Sequence, residues 1–190
     1  MRLMILISLV YLLCGCATQH YRETQESDFS GVLNVRWIEN DYFLFVPDKD
    51  EPFSLVRANG DVIKPGPMYT DGGSIPRFLW GIEGYSPWGY APAYIVHDWL
   101  FEAKHCGHEP DNQYTFEDSV AVMAEALKAV MQSDPQVRNY FVFDTVVASV
   151  GSSIARRLWE KGSCQPPVFD KRAFSTEAPP GDLLMTIRFE

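Results

Sequence analysis

The sequence predicts an α+β fold, a small antiparallel sheet followed by about three helices. Three observations predict it. Short β-branched and aromatic runs, separated by turn residues, fill the stretch from Val32 to Ile63. Apolar residues recur at helical spacing in Pro92–Lys104, Thr115–Met131 and Val137–Trp159. Between these two regions Pro65, Pro67, Gly72, Gly73 and Pro76 interrupt regular structure.

The strands come first. Val32 to Ile38 is rich in β-branched residues, and Tyr42 to Val46 is a short aromatic and aliphatic run. Asp48 to Pro52 reads as a turn, Phe53 to Arg57 as a strand, and Asn59-Gly60 as a hairpin into Asp61-Val62-Ile63. In the second half, Pro92 suits the first turn of a helix, where its missing N–H costs nothing. The next helix places Phe116, Val120, Met123, Ala124, Leu127 and Met131 on one face. The third is expected to carry Phe143, Val146, Val147, Val150, Ile154 and Leu158 along a single stripe. Leu183 to Phe189 reads as a last strand.

The chain has 190 residues, 46% of them hydrophobic and 14% aromatic, enough for a core of one domain, read here as residues 29–190. Net charge is −9, which argues against a nucleic-acid partner, since phosphate contacts need clustered Lys and Arg. Residues 1–15 read as a signal peptide. Arg2 supplies a positive start, and Leu3 to Leu13 is continuously apolar. That run falls short of the roughly 20 residues a spanning helix needs. It closes in Leu13-Cys14-Gly15-Cys16, which resembles the bacterial lipobox, and this implies that Cys16 is lipidated and becomes the mature amino terminus. Ala17 rather than Asp follows it, which by the sorting pattern of such proteins implies the outer membrane, periplasmic face. Residues 16–28 are polar and aperiodic and read as a flexible tether. With Cys14 removed and Cys16 acylated, Cys106 and Cys164 remain, and an oxidising compartment favours a disulfide between them. The alternative is zinc held by His105, Cys106 and His108, a cluster without a second half.

The chemistry lies between Thr70 and Glu102. Thr70-Asp71-Gly72-Gly73-Ser74-Ile75-Pro76 is a tight polar turn, and Tyr94, His97, Asp98 and Phe101 share one helix face. A His beside a carboxylate can serve as a general base, and an Asp beside it can hold a hard cation with loop oxygens. That makes His97 and Asp98 candidate catalytic residues, Asp98 and Asp71 candidate metal ligands, and Asp71, Gly72, Gly73, Ser74 and Tyr94 candidate ligand-binding residues. Asp118, opening the next helix, is the candidate that orients His97. The structural alternatives are as concrete. Asp71 with Gly72 and Ser74 builds a hydrogen-bonded turn, His97 and Asp98 clasp sheet to helix, and Thr115-x-x-Asp118 is a capping box.

His97-Asp98-Trp99-Leu100-Phe101 resembles the motif of secreted calcium-dependent phospholipases, with Phe101 in place of Tyr. That resemblance implies calcium, a His base and an orienting Asp. Over a longer stretch, about Phe53 to Met123, the chain resembles a bacterial and phage family, domain of unknown function 1353. Asp71, Gly72, Ser74, Ile75 and Pro76 match its first element, His97 to Leu100 its second, and Asp118 its third. The family implies a shared site but no activity. Two functions therefore follow from the sequence. One is a lipid-anchored envelope hydrolase of an ester or amide. The other is a non-catalytic envelope lipoprotein that binds a phage or envelope protein.

Overall fold

A computed structural model of the chain describes residues 17–39, 42–70, 87–164 and 181–189. The architecture is the expected mixture of antiparallel sheet and helices. Strands β1 (Ser27–Glu39), β2 (Tyr42–Phe45), β3 (Ser54–Arg57), β4 (Val62–Ile63), β5 (Met68–Thr70) and β6 (Asp182–Phe189) form one sheet. Its order is β4-β3-β1-β2-β5, with β6 also paired to β1. The long β1 organises it. Ser27–Ser30 pair with β3, and Val35–Trp37 lie between β2 on one side and β6 on the other. Between these partners sits Gly31, at φ 82°, where a Cβ would lie 2.4 Å from the Pro52 carbonyl oxygen. Only glycine permits both that backbone and that approach.

The strand expected from Val32 thus begins at Ser27, because β3 supplies a partner for its first residues. Upstream, the expected flexible tether gives way to a helix, α1, described over residues 17–23. Two ring side chains account for this. Tyr21 is buried, with its ring 4.9 Å from that of Tyr140 and 5.3 Å from that of Phe143. Lys128 Nζ stands 5.6 Å over the Tyr21 ring and donates to the Thr24 carbonyl at 2.7 Å. Beside Tyr21, His20 packs edge-on against Phe143 and bonds Asp144 at 2.9 Å, and anchors so few leave no periodic trace in a polar segment.

Helices α2 (Ala91–Cys106) and α3 (Phe116–Ser133) cover the sheet, α3 against β1 and α2 against β5. Between sheet and helices lie Leu33, Val35, Phe45, Leu55 and Ile63, facing Val96, Leu100, Val122, Met123 and Leu127, all fully buried. Gly107, in the left-handed conformation at φ 74°, ends α2 and returns its N–H to the Ala103 carbonyl at 2.9 Å. Arg57 of β3 reaches across to Glu125 of α3 with two bonds of 2.8 Å, tying sheet to helix through a buried carboxylate.

The third predicted helix is two. α4 (Tyr140–Val150) stops at Gly151, and Ser152 caps α5 (Ser153–Lys161) by accepting from the Ala155 N–H at 3.3 Å. The break rotates the apolar stripe. Val142, Phe143, Val146, Val147 and Val150 are buried as expected, but Ile154 and Leu158 are 62% and 60% exposed. Trp159 takes the inward position on α5, its ring 4.9 Å from Phe101 of α2. Just past α5, Cys164 forms the expected disulfide with Cys106, Cα atoms 4.7 Å apart. Among the described residues no helix is long and apolar enough to cross a membrane.

Candidate functional site

The spacing of Tyr94, His97 and Phe101 puts the candidate residues on one face of α2, where Phe101 packs edge-on against Trp159 of α5. His97 is 2% exposed. Neither of its ring nitrogens has a hydrogen-bond partner among the described residues. The nearest charge is Asp98, whose Oδ1 lies 3.9 Å from His97 Nδ1, too long for a hydrogen bond. Above the imidazole lies the Phe101 ring, centroids 5.1 Å apart and tilted 49°. One turn back, the Tyr94 hydroxyl is also buried and unpartnered. Burial, with the nearby Tyr90 and the Asp98 carboxylate adding to it, pushes the Tyr94 phenol far above its ordinary value of 10.0, so it stays a hydroxyl.

Asp98 faces a different way. Its side chain is 22% exposed and accepts from the Thr70 hydroxyl at 2.7 Å. Thr70 ends β5 with its side chain buried, on the same side of the strand as Met68. It is the site residue that sequence reading overlooked. The available signal was its place two residues after an inward Met on a strand, immediately before Asp71. Asp71, Gly72, Gly73 and Ser74 lie outside the described residues, as does Cys16. Asp98 is therefore the described member of the proposed Asp98–Asp71 cation pair.

Asp118 does not join this group. Its carboxylate accepts from the Thr115 N–H at 2.9 Å and the Thr115 hydroxyl at 2.6 Å, while its own N–H donates to Thr115 Oγ1 at 3.1 Å. This is a complete capping box at the start of α3. These bonds hold the Asp118 carboxyl below its ordinary value of 3.8. The expected orienting bond to His97 is absent: the His97 nitrogens have no partner among the described residues, and Asp118 Oδ2 accepts both of its bonds from Thr115 at the helix end.

Zinc at His105, Cys106 and His108 is likewise displaced. Cys106 is spent in the disulfide, His105 Nε2 is 3.1 Å from the Trp159 carbonyl oxygen, and the His108 ring stacks on Trp99 at 5.2 Å. Among the described residues the one cluster of three potential metal ligands is Glu102, Cys106 and Cys164. Its two sulfurs are bonded to each other and offer no thiolate.

The site is thus a buried imidazole and a buried phenol, both unpaired, beside a half-buried carboxylate held by a threonine. Leaving a buried donor or acceptor unsatisfied costs about 1–3 kcal/mol each, and structural histidines are normally relieved of that cost by a backbone or carboxylate partner. The arrangement can accept a proton at His97, stabilise the resulting charge from Asp98, and donate from Tyr94.

Comparison with known proteins adds a family. The family model "Protein of unknown function (DUF1353)" matches residues 50–159, a stretch that includes β3 to β5 and α2 to most of α5. No curated protein and no solved structure matches the chain.

Proposed function

The chain belongs to the DUF1353 family of proteins of unknown function, and on that premise we propose that it is a lipid-anchored cell-envelope hydrolase of an ester or amide. The observation that carries this reading is His97, an almost fully buried imidazole with two unpaired nitrogens beside a carboxylate. In the neutral ring one nitrogen holds a proton and the other a lone pair. The lone pair takes a proton from water as the water attacks the scissile carbonyl carbon, and the imidazolium later returns it to the leaving oxygen or nitrogen. Asp98 lies 3.9 Å from Nδ1 and steadies the positive charge while it lasts. The Tyr94 hydroxyl, kept protonated by burial, is the donor for the developing oxyanion. A divalent cation such as calcium would be held by Asp98 with Asp71 and would polarise the same carbonyl.

Location supports the substrate class. The lipobox-like Leu13-Cys14-Gly15-Cys16 and the Ala17 after it favour a tether of lipid on Cys16 at the periplasmic face of the outer membrane. The esters and amides within reach there are those of phospholipid and of the cell wall.

The test is product release from isolated envelopes, read by mass spectrometry, with the wild type and His97→Gln. General base loss predicts a fall of about 10²-fold or more in turnover. The melting temperature is read on both proteins, so that a loss of turnover in folded His97→Gln is told apart from a loss of the fold. Equal product release by the two proteins sinks the enzyme reading. A second reading has its own observation, the Thr70–Asp98 bond that joins β5 to α2. On it, the cluster is a clasp and the protein binds a phage or envelope partner without catalysis. Asp98→Asn then lowers the melting temperature, and no product appears with any variant.

A further inference from the structure

The α4–α5 break leaves one surface that neither fold nor site explains. On α5, Ile154, Arg157, Leu158 and Lys161 follow one another at intervals of three, one and three residues. That spacing puts them on a single helical stripe. All four are exposed, Ile154 and Leu158 by 62% and 60%. The stripe therefore interleaves two aliphatic side chains with two cations, in a chain whose net charge is −9. Neither Arg157 nor Lys161 is in a salt bridge among the described residues. The neighbouring Arg156 is differently placed, bonded to Glu117 at 2.5 Å and lying over the Phe116 ring at 4.3 Å. Its role is to pin α5 to α3 from the other side.

The stripe is held rigidly. Trp159, opposite it, packs against Phe101, and the Cys106–Cys164 disulfide fastens the chain just past the end of α5. The chain's amino-terminal helix meets α4, the helix that precedes α5, through Tyr21 on Tyr140 and Phe143 and His20 on Asp144.

We propose that the α5 stripe is a docking face for an anionic phospholipid surface, with Ile154 and Leu158 entering the headgroup–acyl boundary and Arg157 and Lys161 meeting lipid phosphates. Charge complementarity argues for an anionic membrane as the occupant, since two cations flank the two exposed aliphatic side chains. Lysine and arginine on the polar flank of an apolar stripe are what an interfacial helix needs. The inference rests on the envelope location proposed above and adds the geometry of the contact. Within the fold, α5 is joined to the His97 helix by Trp159 packing on Phe101, which in turn packs on His97.

The test uses the protein as cells process it, reconstituted into vesicles of phosphatidylethanolamine and phosphatidylglycerol. A nitroxide is attached at Ile154→Cys and, in a second preparation, at Val62→Cys, an exposed position on the sheet. Docking predicts that the label at 154 is several-fold more accessible to dissolved oxygen than to an aqueous nickel chelate, and that the label at 62 is not. Each basic residue held at an anionic surface is worth about fivefold in partitioning, so the pair Arg157→Gln and Lys161→Gln lowers the docked-to-free ratio about 25-fold. Phosphatidylcholine vesicles abolish the difference between labels. Equal accessibility at the two positions overturns the proposal. So does spin–spin broadening at 154 in the absence of vesicles, which identifies a second copy of the chain as the occupant. The mass at Cys16 is read in the same preparations. If no acyl chain is found, the anchoring reading fails by itself, and the labels are then read on the same protein mixed with vesicles.

Discussion

Among single residues, Glu102 shows how the surroundings of the site act on charge. It sits one turn before Cys106, with Oε1 3.0 Å from the Cys106 sulfur, which as half of a disulfide has no proton to donate. Burial pushes its carboxyl above the ordinary value of 4.5, and the charges of His108 and His105 only partly oppose this. The folded state therefore holds the Glu102 proton more tightly than the unfolded chain does. Stability is then fullest below the ordinary value and falls as pH rises through the raised one. Glu102→Gln removes the ionisation, so it should raise the melting temperature at pH 7 and leave it unchanged at pH 4. Paired thermal unfolding at the two pH values measures this, and an equal effect at both would sink the desolvation account. His97 and Asp98 were legible in the sequence as adjacent polar residues in an apolar run. Thr70 was not, because a threonine on a strand has nothing in its local sequence to mark it as a carboxylate's partner. The buried state of His97 was also illegible, since it depends on what the fold, with Phe101 among it, places around the ring.

At the level of elements, the start of α3 separates capping from catalysis. Asp118 and Thr115 exchange bonds there, and no bond reaches His97. Thr115→Ala should cost about 1 kcal/mol, the usual worth of an N-cap, with the rate of product release unchanged once the protein is folded. Asp118→Ala should behave alike. The Asp118 carboxyl is held below 3.8, so its contribution is present above that value and is lost as pH falls through the lowered one. A specific loss of turnover in Asp118→Ala would restore it to the site. Across the sheet–helix junction, Glu125→Ala leaves the Arg57 guanidinium, 12% exposed, without its bidentate partner. Breaking a buried pair costs about 3–5 kcal/mol, and chemical denaturation reads it directly. The helices α2 and α3 could be read from apolar spacing, capping and turn residues. The division of the third was masked because Gly151-Ser152 falls between two segments of the same period, and periodicity continues on paper through a bend it does not survive in space. α1 escaped for the opposite reason, since its anchoring rests on Tyr21 and His20 rather than on a stripe.

For the molecule as a whole, the disulfide closes the largest clamp among the helices. Cys106 and Cys164 are separated by 58 residues, a loop that includes α3, α4 and α5. Closing a loop of that length is worth about 4 kcal/mol in the chain-entropy model. Reduction should therefore lower the unfolding midpoint markedly and add two titratable thiols to the count, measured with an aromatic disulfide reagent. An unchanged midpoint after complete reduction would show that helix packing alone holds α5. The sheet has a different logic. Gly31 to Trp37 of β1 find one of their two edges in β6, with Gly31 opposite Phe189. β1 is the first strand and β6 the last, so a chain delivered amino end first has this backbone edge unpaired until the remainder has followed. Unpaired strand edges are templates for any extended peptide. The order of delivery thus gives the chain a vulnerable interval whose length is set by the pace of synthesis, not by its stability once complete. A molecule stalled short of residue 182 keeps that interval open, ready to pair with another of its kind.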